Sequence, residues 1–322
     1  MQTAINYMPK HGSLWDHWLY RAGNEYHMYY LYDERTGADH TKPLWLVGHA
    51  VSSDLVNWME HPPVLRSNES RGVTSIATGS VIDFGGRYAM MITDHARGLC
   101  LAWSDNLYTW EWQDNNPVLP VVGEWYETRE QMRTNPKECA AWCDPYLFRI
   151  DGQNDVYMLL NTRLREGDMF SRGCIALARS ADMVNWTVLP PLLTPGIAAR
   201  CETPQILCRG GKWYLIVSCH HRILADEFVA SNDGERIHAA AFVFTSNRFD
   251  GEYRLCGDWH MFKDEGCYIC KVETAPEGGD YVLTIKDDTV EYPPKYGETG
   301  ITLPYRVAYS DGGGIRVVDL DA

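Results

Sequence analysis

Residues 45–58 read Trp-Leu-Val-Gly-His-Ala-Val-Ser-Ser-Asp-Leu-Val-Asn-Trp, an alternating apolar run that closes on Ser52 and is followed six residues later by Trp58. The pattern returns around Ser104 with Trp110 and around Ser180 with Trp186, and shorter versions end on Ser246 and Ser310. The intervals between these serines are 52, 76, 66 and 64 residues, which suits one four-stranded sheet per copy. An aromatic-rich run precedes each serine, at residues 26–33 (YHMYYLYD), 87–94 (RYAMMITD), 156–163 (VYMLLNTR), 212–219 (KWYLIVSC) and 280–287 (DYVLTIKD). Upstream of these lie further apolar runs at 14–20 (LWDHWLY), 78–84 (TGSVIDF), 142–148 (WCDPYLF), 201–207 (CETPQIL) and 266–272 (GCYICKV). Three copies end on proline-rich segments, HPPVL, NNPVL and LPPLL, as an outer strand tolerates because its outward N–H groups have no partner. No stretch keeps apolar residues at helical spacing for three turns. The expected fold is all-β, a five-bladed β-propeller with four antiparallel strands per blade, occupying residues 1–322 as one domain. Segments 120–140 and 220–238 read as loops that shape one mouth of the ring.

Composition narrows the partners. Apolar residues make up 45% and aromatics 12% of the 322 residues, with 12 Trp and 19 Tyr, which suits many short strands and surfaces on which sugars stack. A net charge of -14 opposes nucleic-acid binding, since phosphate contacts need a positive surface. No run approaches the roughly 18 apolar residues of a membrane span, and the N-terminal residues lack the basic-then-apolar pattern of a leader. The ten cysteines are scattered, several within strand patterns, and read as buried reduced thiols of a cytoplasmic protein. Cys267-Tyr-Ile-Cys270 lacks the second ligand pair of a zinc site.

The repeat also exposes what does not repeat. At the starts of the first strands stand Asp16, the Thr78-Gly79-Ser80 corner, Asp144, Glu202 and the Glu265-Gly266 corner. The three lone acids occupy what read as equivalent places. Singly, each is no more than a strand-start or turn-capping carboxylate. Gathered at one axis they repel one another and lose solvation, a cost that functional sites accept. Cleavage of a glycosidic bond needs such a set: one carboxylate to attack the anomeric carbon or activate water, and another kept protonated for the leaving oxygen.

On these residues the chain resembles the five-bladed propeller glycosidases of glycoside hydrolase families 32 and 68, with families 43 and 62 more distant. Residues 14–18 (LWDHW) are similar to the nucleophile segment, 45–58 to a Gly-His-Ala strand leading into Ser-x-Asp-Leu-x-x-Trp, Cys143-Asp144-Pro145 to an Arg-Asp-Pro motif, and Cys201-Glu202-Thr203-Pro204 to a Glu-Cys-Pro motif. The resemblance covers residues 11 to about 290. It implies Asp16 as nucleophile, Glu202 as general acid/base and Asp144 as the carboxylate that binds sugar hydroxyls. It implies Thr78 and Ser80 as sugar contacts, with Trp15 and Trp45 as apolar walls, and neither cofactor nor catalytic metal. Three departures stand out. Cys143 replaces an arginine, so a guanidinium must come from elsewhere, with Arg129, Arg133 and Arg200 as candidates. Thr203 replaces the cysteine after the acid/base, and 322 residues leave no room for the C-terminal β-sandwich of family 32.

The expected activity is retaining hydrolysis of a furanoside, β-fructofuranosidase-like, on an oligosaccharide or small glycoside, with transfer to a second sugar sharing every residue. Alternatives are an inverting arabinofuranosidase or xylosidase of the family 43 kind, a glycoside phosphorylase using His220, His221 and Arg222 for phosphate, and a non-catalytic carbohydrate-binding propeller. A homodimer covering the flank where the sandwich would sit is a further expectation.

Overall fold

The computed structural model describes residues 5–34, 45–134, 141–232, 240–260, 267–286, 299–310 and 313–318. Glu265, Gly266, Asp287, the Asp311-Gly312 part of the last turn and parts of the 120–140 and 220–238 segments lie outside the described residues. The strands form five antiparallel sheets in a ring. Blade 1 comprises Ser13–Ala22, Glu25–Asp33, Leu46–Ser52 and Met59–Leu65. Blade 2 comprises Gly79–Phe84, Arg87–Asp94 and Gly98–Ser104, with its outer edge split into Glu111–Trp112 and Leu119–Pro120. Blades 3 and 4 are Cys143–Arg149, Val156–Arg163, Gly173–Ser180 and Thr187–Leu193, then Glu202–Arg209, Lys212–Cys219, Ala240–Ser246 and Arg254–His260. Blade 5 begins with Cys267–Thr274 and Asp280–Lys286. Its third position is shared by Gly300–Thr302 and Tyr305–Tyr309, and its outer position by Ile315–Val317 and the N-terminal strand Ile5–Tyr7. The ring therefore closes by pairing Ile5 with Thr302.

The alternating patterns become faces between blades. Five buried clusters fill the five seams: Trp18, Tyr29, Val81 and Met90 between blades 1 and 2, Met91, Leu147 and Met158 between 2 and 3, Leu159, Ile206 and Leu215 between 3 and 4. Val243, Val272 and Val282 join blades 4 and 5, and Leu14, Tyr30, Ile269 and Ile285 join 5 and 1. Both faces of each inner sheet are thus covered by neighbours, and each strand is apolar on both sides.

The recurring Ser-to-Trp segment is one turn built three times. Asp54 takes the N–H groups of Val56 and Asn57 at 2.9 and 2.7 Å and holds Ser52 at 2.9 Å, while Trp58 Nε1 donates to the Leu55 carbonyl at 3.0 Å. Asp182 and Trp186 repeat this on Ser180 and Met183, and Asn106 with Trp110 repeat it on Ser104 and Leu107. Leu55, Leu107 and Met183 have positive φ of 64°, 68° and 68°, so a side-chain turn and a tryptophan clasp offset one strained residue per copy.

A histidine stack occupies the outer part of the blade 1–2 seam. His27 Nδ1 and His49 Nε2 are 3.0 Å apart with rings inclined by 8°, Tyr29 stacks on His49 at 4.7 Å, and the Tyr108 ring of blade 2 meets both edge-on. One nitrogen must donate and the other accept, so the pair cannot be doubly charged. Burial, then the neighbouring His27 and His61, push His49 down to about 3. The folded chain therefore refuses a proton that the unfolded chain accepts below about 6.5, and the stability that His49 contributes is present above that pH and lost as pH falls toward 3. Melting curves of wild type and His49→Phe are expected to diverge on acidification, the wild type losing about 2 kcal/mol relative to the variant by pH 5. Parallel curves from pH 7 to 5 would remove the stack as a source of acid sensitivity.

Candidate active site

Four of the five innermost strands carry the same irregularity near their starts. In blade 1 Leu14 pairs with Tyr32 and His17 with Tyr30, so Trp15 and Asp16 together face a single residue of the next strand. The same two-for-one register leaves Asp144 and Pro145 unpaired in blade 3, Thr203 and Pro204 in blade 4, and Ile269 and Cys270 in blade 5. Such bulges bend a strand and re-aim its side chains. Asp144, Thr203 and Ile269 pay in positive φ of 55°, 47° and 58°. Blade 2 pairs without a break from Gly79 to Phe84 and offers no acid at its start, the carboxylate of this strand, Asp83, standing next to its far end.

The register corrects one expectation: the three acids are not at equivalent places. Glu202 is the last paired residue before its bulge, Asp144 the first bulged residue and Asp16 the second. They nevertheless meet. Asp16 is driven up to about 8 by burial first, then by the charge of Asp144, with Glu202 adding to it, while Thr78 and Lys271 act in the opposite direction. The Thr78 hydroxyl donates to Asp16 Oδ2. Asp144, buried, accepts from Asn161 Nδ2 at 3.1 Å and from the Thr203 N–H at 3.0 Å, and its own N–H donates to Thr93 Oγ1 of blade 2 at 3.2 Å. Asn161 also takes the Cys201 N–H at 3.2 Å, so one amide fixes Asp144 and the residue before Glu202.

Of the three arginines considered, Arg200 reaches the cluster. Its Nη1 lies 2.9 Å from Glu202 Oε1, both side chains being largely buried. Arg129 and Arg133 lie instead on a short helix, Arg129–Thr134, whose N-terminus is closed by reciprocal Thr128–Gln131 hydrogen bonds. Besides Asn161, three participants went unread in the sequence. His95, in the turn after the second strand of blade 2, is exposed yet ringed by protein, which lowers its imidazole despite the opposing pull of Asp144 and with the help of Arg200. Lys271 is buried on the blade 5 strand. Tyr268 is buried with its hydroxyl unpartnered, its ring 6.2 Å from Trp15 and 6.4 Å from His220.

The remaining expected residues separate. Trp15 is half-buried beside Asp16 and packs on both seams of blade 1. Trp45, three strands out from the axis, packs on the blade 1–2 cluster. Ser80 accepts the Leu147 N–H at 2.9 Å, stitching blade 2 to blade 3, and lines with Lys271 and Glu273 a cavity of about 350 Å³ around the axis. His220 Nδ1 accepts the Arg222 N–H at 3.2 Å, so part of the His-His-Arg run caps its own turn.

A buried ion triad holds the segment before Glu202. Glu127 receives Arg163 Nη1 at 2.7 Å and Arg172 Nη2 on its other oxygen, with Glu127 and Arg163 fully buried. Arg163 Nε then donates to the Ala199 carbonyl at 3.1 Å, and the Gly173 N–H to that of Ala198 at 2.9 Å. Replacing Glu127 by Ala strands two guanidinium groups without their counter-charge, and the expected loss is about 3–5 kcal/mol in denaturant unfolding. A loss under 1 kcal/mol would mean that the triad does not brace this segment.

A ring of five sheets that brings carboxylates from three blades together, with Arg200 beside one of them, is what the resemblance to the propeller glycosidases implies. Residues 16–218, more than half of the chain, match the model of the glycosyl hydrolases family 32 N-terminal domain, and the chain belongs to that family. It is 29% identical over 249 residues to an invertase of Schizosaccharomyces pombe, covering 67% of this chain and 38% of the invertase. Its fold matches a Bombyx mori GH32 beta-fructofuranosidase with a TM-score of 0.73 at 17% identity over 99% of this chain and 65% of that one. A B. megaterium levansucrase gives 0.74 at 13% identity over 96% and 85%. The chain spans between 20% and 41% of the length of the curated relatives it matches.

Proposed function

We propose that this chain hydrolyses a β-fructofuranoside such as sucrose or a short fructan with retention of anomeric configuration. The observation that supports the reading is the convergence of acids from three blades: the charges of Asp144 and Glu202 both act on Asp16, and Asp144 accepts the N–H of Thr203, the residue after Glu202. Asp16, on the bulge nearest Thr78, attacks the anomeric carbon and forms a fructosyl ester as the C–O bond to the leaving group breaks. Glu202 gives its proton to the departing oxygen, and Arg200 at 2.9 Å stabilises the carboxylate that results. Water then enters, Glu202 takes its proton, and the ester opens to restore Asp16. Asp144, locked by Asn161 and Thr203, hydrogen-bonds sugar hydroxyls and stabilises the oxocarbenium-like transition state.

Membership of family 32 and the likeness to an invertase support the fructosyl choice. A second sugar replacing water gives transfer by the same residues. The test is hydrolysis of sucrose, short fructans and aryl furanosides with the product anomer followed by NMR. Release of β-fructose as the first product supports the reading. Initial release of the inverted anomer would replace Asp16 as nucleophile by Asp16 as general base, and binding without turnover on every furanoside would replace catalysis by recognition.

A further inference from the structure

The acid cluster has an electrostatic problem that its own donors do not solve. Glu202 has Arg200 at 2.9 Å, and Asp144 has the Asn161 amide and the Thr203 N–H. Asp16 has the Thr78 hydroxyl, and on its other sides the two repelling carboxylates. A nucleophile must be ionised, and burial with two like charges opposes that.

Blade 5 lacks a described acid at its bulge, and its next residue is Lys271. The two-for-one register at Ile269 and Cys270 sets Lys271 opposite Leu283 and turns its ammonium toward blade 4, where Nζ donates to the Thr203 and Pro204 carbonyls at 2.9 and 3.3 Å. Those carbonyls belong to the bulge that immediately follows Glu202. The side chain is 5% exposed and passes over the Tyr146 ring at 5.8 Å. Its charged neighbours are Asp144 and Asp16, then Glu273, which burial has already pushed up to about 7. His17, next to Asp16 and fully buried with both ring nitrogens unpartnered, is held neutral by its burial and by Lys271. Desolvation draws Lys271 itself down to about 8, with the two acids pulling the other way, as in a mutually supporting set of buried charges.

We propose that Lys271 is a positioning residue: its ammonium, delivered to the axis by the blade 5 bulge, is the counter-ion that favours the charged form of Asp16 against its two like-charged neighbours and ties that charge to the backbone beside Glu202. The proposal rests on the catalytic reading of Asp16, and its test separates the two. Lys271→Gln keeps donors for the carbonyls and removes the charge, while Lys271→Arg keeps the charge. The acid limb of kcat/KM on sucrose is expected to move up by about one pH unit in Lys271→Gln and to stay within a few tenths in Lys271→Arg. The Asp16 side-chain carbon, followed by NMR in aspartate-labelled protein and identified by its absence in Asp16→Asn, is expected to show the same displacement without any substrate. A displaced resonance with no turnover of any fructoside would sustain the counter-ion and overturn the proposed activity instead. An unmoved midpoint, or activity lowered equally at every pH, overturns the counter-ion. If Lys271→Gln does not fold, the double variant with Asp16→Asn is expected to fold again, and its failure counts against the proposal.

Discussion

Asp16→Asn is expected to lose at least about 10⁴-fold in kcat while melting a few degrees higher than the wild type at pH 7. The amide keeps the shape and the Thr78 contact but cannot form the fructosyl ester. The gain in stability follows from the position of the carboxyl, raised from an ordinary 3.8 to about 8 by burial and by Asp144. A raised acid binds its proton more tightly in the folded chain, so its contribution favours folding at low pH and becomes a cost as pH climbs from about 4 toward 8. Asparagine removes that cost, worth about 4 kcal/mol at neutral pH, and gives almost nothing at pH 4. The check is a pair of melting curves at pH 4 and pH 7 beside a turnover assay. A variant that is inactive but equally unstable at both pH values would mean that the axis is not under charge strain.

Glu202→Gln separates the two halves of the reaction. With sucrose, whose leaving oxygen needs a proton, kcat/KM is expected to fall about 10²–10⁴-fold. With a dinitrophenyl fructoside, which leaves unaided, the first step should be nearly unaffected and the fructosyl-enzyme should accumulate as a burst. Azide, which needs no base, should restore turnover and yield the azide of retained configuration. Equal losses on both leaving groups would assign Glu202 to sugar binding and leave the proton donor elsewhere in the funnel.

The fold was legible because its signals are local and repeated. A Ser, an Asp or Asn two residues on, and a Trp six residues on build a complete turn from side chains within a heptad, and three copies sit where the pattern places them. First-strand runs were readable to within about two residues because a strand covered on both faces keeps a near-continuous apolar run. The Thr78-Gly79-Ser80 corner was legible as a place but not as a set of roles. Thr78 meets Asp16, Gly79 leaves no room for a Cβ against Ile92 and Trp18, and Ser80 turns to the next blade.

Bulges were the blind spot. An extra residue in a strand carries no composition signal, yet it leaves the three acids one register step apart from one another and brings Lys271 to the axis from a strand read as a plain apolar run. His95 and Asn161 escaped for a different reason. Each acts in part through a partner at the next blades, Arg200 for the one and Cys201 for the other, 40 residues or more further along the chain.

The seam that joins Ile5–Tyr7 to Gly300–Thr302 has an implication for biosynthesis. The earliest described strand waits at the ribosome for its partner, so the emerging ring is an open arc until Gly300–Thr302 has been made. Blade 5 contributes Lys271 and Tyr268, and that arc cannot hold the completed ring of charges. The buried charges around Asp16 are thereby assembled only when blade 5 is added, in one late step of chain growth.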